Sequence, residues 1–447
     1  MSLPSRRSEP YKAKKFWWAR VKLLGRSQLN RFPLIKAPVI RIWRISKLLF
    51  LRCKWKLVIL TGSSTSVYSE GLSVDKEYWI SPQRIIYSSL REFNVHEFKG
   101  RIIGGDWDRL EKKFEDLDIY VGFRQVFMEG RDWPETVFYQ RVLDELDGGH
   151  ILWRCKNKSD FDRRCQDIEL LFHEIEQEGY KSQRELLLSQ QVHDSLRTED
   201  EVTVNVGRRG DLLFSDGAHR LAIAKLLGIQ TIPVRIAVRH PEWMRFRKEL
   251  LLYAERQGGK TYQPITHPDL GDIPAFHDCE DRFMMIKENM AARGGRLLDI
   301  GANLGYFCHR FEDEGFDCYA LEDFPEHLHF LKGLRRAENK KFKVLAESAL
   351  ECQEIRNKSF NVVLALNIFH HFLKTKERYD KFIALLKDLH TDELFFESHL
   401  PDETQMQGAY QNYSPDEFVE FLVRNSRLTN AKLIGIAKDG RSLFRLY

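Results

Sequence analysis

Four groups of residues in this 447-residue chain combine types and spacing that could do chemistry. The first is Asp299, followed by Gly301-Ala302-Asn303-Leu304-Gly305 and later by Glu322-Asp323. Glycines let a backbone turn sharply and approach a ligand closely. A helix starting after such a turn offers free N–H groups and a positive dipole end. A downstream carboxylate can accept hydrogen bonds from two ribose hydroxyls. The second group is Asn367-Ile368-Phe369-His370-His371. Histidine titrates near neutral pH, so His370 or His371 is a candidate general base. The alternative is that one ring packs on a sheet while the other is merely polar. No metal site is expected from the pair, because adjacent residues on a helix do not share a face.

The third group, Ser215-Asp216-Gly217-Ala218-His219-Arg220, opens an apolar helix that stops at Gly228. Basic side chains in a first turn oppose the helix dipole, so Gly217, His219 and Arg220 suggest an anionic ligand, with phosphate the natural candidate. A structural salt bridge to a nearby carboxylate, such as Asp211 or Asp216, is the competing reading. The fourth is Gly104-Gly105-Asp106-Trp107-Asp108. Asp106 or Asp108 could hold Mg²⁺ beside a phosphate or act as a base. An ordinary turn around a buried Trp107 is the alternative.

The elements that must position the first two groups follow from the apolar pattern. Residues 296–300 (RLLDI) suit a buried parallel strand running straight into the glycine turn. A helix pattern ends at Gly315, and residues 316–321 (FDCYAL) read as a second strand ending at Glu322. A helix from Pro325, a strand at 342–345, the apolar strand 360–367, a helix at 376–390 and a strand at 393–397 come next. Ser414-Pro415-Asp416-Glu417 is a capping box with proline at the first helical position. Residues 432–437 and 442–447 flank Lys438-Asp439-Gly440-Arg441, a hairpin signal.

A parallel sheet closed by an antiparallel hairpin resembles the class I S-adenosylmethionine-dependent methyltransferase fold, over roughly residues 282–447. LDIGANLGYF is similar to that family's first motif, with Asn303 at the middle glycine. Tyr306-Phe307 continue the motif where a nicotinamide enzyme would complete G-x-G-x-x-G. The resemblance implies S-adenosylmethionine as cofactor, held by Asp299, Gly301, Asn303, Gly305, Glu322 and Asn367. It also implies a methyl-transfer site lined by the segment from Asn367 to His371. Such a reaction needs alignment and water exclusion more than protein chemistry, because the sulfonium is already activated.

Residues 201–239 resemble the ParB/sulfiredoxin superfamily. They read as a strand at 202–206, a turn, a strand at 212–214, the helix after Gly217 and a strand at 231–238. The resemblance implies a nucleotide phosphate held at Gly217, His219 and Arg220, with Mg²⁺ as a companion. Ala218 stands where sulfiredoxin has its reactive cysteine, which excludes sulfiredoxin chemistry.

The chain divides into a basic extension (1–67), an α+β ParB/sulfiredoxin-like domain (68–259) and a Rossmann-like α/β domain with a seven-stranded methyltransferase sheet (260–447). A proline-rich linker, TYQPITHPDLGDIP, joins the last two. Residues 162–179 read as a helix capped by Gly179. The hydrophobic fraction of 43% and charged fraction of 30% are those of a globular chain, and exclude a largely disordered, collagen-like or multi-span membrane protein. No apolar run is long enough for a transmembrane helix.

Residues 1–60 hold sixteen of the 70 basic residues and one of the 65 acidic ones, Glu9. That end suits an anionic membrane surface or nucleic acid, or is a solvated extension. Residues 39–60 would form a cationic amphipathic helix, lying either at a membrane interface or buried on one face. Seven cysteines without C-x-x-C spacing, and no secretory signal, point to a cytoplasmic protein, possible at the membrane periphery. The functional expectation is a methyltransferase with a second, nucleotide- or phosphate-binding domain. A kinase of ParB/sulfiredoxin fold, or a nucleotide-binding scaffold with a non-catalytic methyltransferase-like domain, is the alternative. The methyl acceptor stays open among a small molecule, a glycan or lipid-linked precursor, and a macromolecule.

Overall fold

The computed structural model describes residues 75–90, 98–188, 201–400 and 402–447. The expected helix over 39–60 lies outside them. Two sheets organise the described chain. In the first, β1 (Glu77–Ile80), β2 (Tyr87–Ser88), β3 (Val202–Val206), β4 (Leu212–Asp216) and β5 (Ile232–Arg239) are ordered β1-β5-β3-β4-β2. β3 and β4 form an antiparallel hairpin, and β5 runs parallel to β3. Helix Lys158–Glu178 begins earlier than its pattern suggests, because the Asn157 side chain accepts from the Asp160 N–H at 2.9 Å and caps it.

The second sheet contains β6 (Gly295–Ile300), β7 (Phe316–Leu321), β8 (Lys343–Leu345), β9 (Ser359–Leu366), β10 (His390–Glu397), β11 (Ala431–Ile436) and β12 (Ser442–Leu446). Its order is β8-β7-β6-β9-β10-β12-β11. β6 to β10 are parallel, and β12 is antiparallel to both β10 and β11. Strands β7 and β8 extend outward from β6, and the chain then crosses back to place β9 on its other side. This reversal between β6 and β9 is the topological switch point, where open α/β sheets form a ligand crevice at the strands' carboxyl ends.

Both faces of this sheet are covered. Val362 and Leu364 of β9 pack with Phe283 and Phe311 on one side. Val363 and Ala365 pack with Phe382 and Leu385 on the other. This two-sided burial is why β9 reads as an unbroken apolar run. The capping box at Ser414 forms as expected, starting helix Pro415–Asn425.

The proline-rich connection differs from a free linker. It has one short turn, Pro268–Leu270, but His267, Asp269 and Leu270 are almost fully buried. Asp269 accepts two bonds from Arg239 Nε (2.9 and 3.0 Å), one from Arg239 Nη2 (2.6 Å) and one from Trp243 Nε1 (2.8 Å). His267 Nε2 lies 2.9 Å from the Gly210 carbonyl. The prolines exclude long regular elements, while the polar side chains tie the connection to the first sheet. The core of that sheet runs on into Leu304, Phe330, Leu334 and Ala337 of the second unit.

Candidate active site

The crevice at the switch point is built by the turn after β6 and the segments after β7, β8 and β9. Asp299, near the end of β6, is buried, and its Oδ2 has no hydrogen-bond partner. Burial, helped by the nearby Glu322 carboxylate, pushes its pKa up to about 7. Gly301 (φ 75°), Asn303 (φ 53°) and Gly305 (φ 88°) all take left-handed backbone conformations. Asparagine tolerates this region better than most residues, so Asn303 can stand where glycine is usual. A Cβ on Gly301 would sit 2.8 Å from Ile368 Cδ1 and Cγ1, and one on Gly305 would sit 2.4 Å from Leu331 Cδ1. At both positions the left-handed φ favours glycine, and a Cβ would also force a neighbouring aliphatic side chain to shift.

Glu322 ties the second strand to this turn. Its Oε2 accepts from the Asn303 N–H at 2.8 Å, and its Oε1 from the N–H groups of Asp323 (3.2 Å) and Phe324 (2.9 Å). His327 Nδ1 lies 3.4 Å from Oε1. Burial raises the Glu322 pKa, but His327 and the backbone donors outweigh it and leave the carboxylate below its ordinary range. Asn367 follows β9 with φ 53°, and its Nδ2 donates to the Tyr262 hydroxyl at 2.9 Å.

These residues line a cavity of about 980 Å³ that also includes Ser348, His370, His371, Gln405 and Arg441. The structure thus gathers Gly301, Asn303, Glu322, Asn367, His370 and His371 around one space, with Asp299 and Gly305 on the strand and turn behind it. His370 and His371 lie on the 3-10 turn Phe369–Phe372, with ring centroids 4.0 Å apart. Successive residues of a 3-10 turn are spaced about 120° apart around its axis, so the two rings approach through their side-chain orientations. Burial pushes His370 down to about 3, helped by His371, and His371 down to about 4, helped by Lys374 and Arg378. Both are uncharged at neutral pH. His370 Nε2 lies 3.2 Å from Gln405 Oε1. Among the described residues, no cluster of His, Cys, Asp and Glu suits a metal ion.

Sequence reasoning missed Tyr262, Gln405 and Arg441. Arg441 was visible only as part of a hairpin turn. It enters the cavity because Asp439 and Glu403 hold its guanidinium at 2.7 and 2.9 Å. Arg282 braces that turn, donating to Asp439 at 2.6 Å and to Glu397 at 2.7 Å. Tyr262 lay in the proline-rich connection, where only an aromatic residue beside prolines hinted at burial.

The candidate anion turn of the first unit is arranged differently. Gly217 caps helix Ala218–Leu226 with φ 85°. The His219 ring packs against Phe123 (5.7 Å) and Trp153 (5.1 Å), and burial lowers its pKa to about 3. Arg220 turns inward to Glu201 at 3.3 Å, donates to the Lys181 carbonyl and stacks on Tyr180. The salt-bridge alternative is therefore realised, with Glu201 as partner rather than Asp211 or Asp216. At the 106–108 loop, Trp107 is fully buried, and Arg208 Nη2 contacts Asp106 at 3.1 Å and Asp108 at 2.8 Å. A guanidinium thus occupies the carboxylates considered for Mg²⁺.

Residues 298–388 match a protein family described as a methyltransferase domain. The chain carries a methyltransferase domain. The match runs from β6 through the glycine turn, Glu322 and the histidine pair to the helix Lys376–Asp388. A comparison with curated proteins finds no match. Among solved structures, the bifunctional kinase-methyltransferase WbdD is 20% identical, covers 44% of this chain and 45% of its own length, and gives a TM-score of 0.37. Magnesium protoporphyrin IX methyltransferase from Synechocystis PCC 6803, with bound SAM, is 11% identical over 37% of this chain and 76% of its own, at 0.30. The PH0226 protein from Pyrococcus horikoshii OT3 is 13% identical over 38% and 93%, also at 0.30. The match spans less than half of WbdD, and at these scores none of the three bears on the activity of the methyltransferase domain.

Proposed function

We propose that the protein is an S-adenosylmethionine-dependent methyltransferase whose donor lies in the switch-point cavity. The supporting observation is the polar lining of that cavity, where the left-handed turn at Gly301 and Asn303, the Glu322 carboxylate, Asn367, His370 and Arg441 surround one space. A polar ligand with ribose, amino and carboxylate groups has the complementary donors and acceptors. Bound there, S-adenosylmethionine would supply a methyl group already activated on a sulfonium.

The chain's own residues orient and desolvate. Glu322, held ionised, would accept from the ribose hydroxyls. The left-handed turn at Gly301–Asn303 brings backbone within reach of the ligand. Asn367 and Tyr262 fix the wall beside the reacting centre. His370 and His371 are neutral but weakly basic, so their contribution is hydrogen bonding and exclusion of water rather than strong proton abstraction. Calorimetric titration of the full chain with S-adenosylmethionine tests this reading, and absence of binding overturns it.

A nucleotide-phosphate role for Gly217, His219 and Arg220 would require Arg220 to leave Glu201. Titration with ATP, ADP, CTP and GTP tests it. For residues 1–60 we propose docking on an anionic membrane surface, supported by their sixteen cations against one anion and by Trp17, Trp18, Trp43 and Trp55. Among the described residues no helix is long and apolar enough to cross a membrane.

A further inference from the structure

We infer that the donor site is completed from outside the methyltransferase sheet: Tyr253 and Gln263 are positioning residues that hold the ribose-binding and glycine-turn ends of the cavity. The inference rests on the donor reading above. Tyr253 lies on helix Pro241–Arg256, which follows β5 of the first unit. That helix packs on helix Pro325–Ala337, whose first turn adjoins Glu322. Gly333 permits the approach, since a Cβ there would meet Phe246 Cε2 at 2.4 Å. The Phe246 and Tyr253 rings lie 5.8 and 5.3 Å from Phe330, and His329 lies 3.1 Å from Glu249.

At the end of this contact, the Tyr253 hydroxyl is 3.1 Å from His327 Nε2. The other ring nitrogen of His327 faces Glu322 at 3.4 Å and the Asn303 amide at 3.2 Å. One hydroxyl of the first unit thus fixes the imidazole that touches both the carboxylate and the turn. Independently, Gln263 Oε1 accepts from the Tyr306 N–H at 3.3 Å, one of the free donors that open helix Tyr306–Asp313. Gln263 is itself buried, and its backbone carbonyl accepts from Thr261 Oγ1 at 2.8 Å. The Tyr253 hydroxyl therefore touches a residue of the cavity wall, His327, while Gln263 holds the helix N-terminus directly behind the glycine turn. By linkage, a donor that binds the docked arrangement more tightly must also strengthen that docking.

The test uses the full chain. Tyr253→Phe keeps the ring on Phe330 and removes only the hydroxyl, while Gln263→Leu keeps volume and removes the acceptor. Each should raise the calorimetric Kd for S-adenosylmethionine about three- to tenfold, the effect of one net hydrogen bond. Hydrogen exchange of residues 241–256 and 261–275 should slow on donor addition in the wild type, and less in either variant. Glu322→Gln serves as the control. A wild type that binds no donor overturns the donor reading itself. A wild type that binds, with Glu322→Gln weakened but both positioning variants unchanged in affinity and exchange, overturns this inference alone. If Tyr253→Phe fails to fold, Gln263→Leu decides by the same two readouts.

Discussion

Replacing Glu322 with glutamine probes the donor site most sharply, because three backbone N–H groups already bond to that carboxylate and leave acceptor capacity on Oε2 for the ribose. Oε1 takes the N–H groups of Asp323 and Phe324, and Oε2 takes that of Asn303 at 2.8 Å. A glutamine can keep its oxygen toward only one of these sets. With the oxygen toward Asp323 and Phe324, its NH₂ faces the Asn303 N–H, placing two donors against each other within the glycine turn. The ribose diol likewise loses a charged acceptor. A hydrogen bond to a charged group contributes about 1.5–3 kcal/mol, so donor Kd should rise about tenfold to a hundredfold. Calorimetry measures the affinity, and thermal unfolding confirms that the variant is folded. Unchanged affinity in a folded variant would refute the assignment of Glu322 and the location of the ribose.

Arg220→Ala should destabilise the first unit by about 3–5 kcal/mol, because it leaves Glu201 buried without its guanidinium. Glu201→Gln in the same chain should recover much of the loss in a denaturant melt, whereas a purely ligand-binding arginine would show no such rescue. Burial holds His370 near 3 and His371 near 4 in the folded chain, both below the imidazole range of the unfolded one. The unfolded chain therefore takes up more protons on acidification, so stability is full above about pH 6.5 and falls as pH drops toward 4. Melting temperatures at several pH values should show that slope flatten in His370→Gln. Deleting residues 1–60 should abolish sedimentation with phosphatidylserine vesicles at low salt while leaving S-adenosylmethionine binding intact. Persistent sedimentation of the truncated chain would place the contact elsewhere.

The second sheet was legible because its strands are buried on both faces and each is followed by a helix with a recognisable start. Short-range signals suffice there: the run 360–367, the Ser414–Glu417 capping box and the Asp439-Gly440 turn each act over a few residues. The glycine turn and Glu322 were legible for the same reason. What escaped depends on distant partners. Arg220 meets Glu201, and Asp269 meets Arg239 and Trp243, across spans that no local period encodes. The proline-rich connection reads as loose because prolines remove helix and strand signals, while its burial comes from side chains pairing elsewhere. The contact between the two histidine rings was not legible because it depends on side-chain orientation rather than on helical spacing.

The Arg239–Asp269 pair has a consequence for how such a chain can be recombined. Its two charges come from opposite sides of the apparent junction at residue 260, and both are nearly sealed from water. A chimera that exchanged the catalytic sheet at that junction for one with a neutral residue at the aspartate position would leave a guanidinium stranded indoors. The fusion point compatible with exchange therefore lies beyond Asp272, which Arg247 also grips, so that the connection travels with the first unit as its fitted collar.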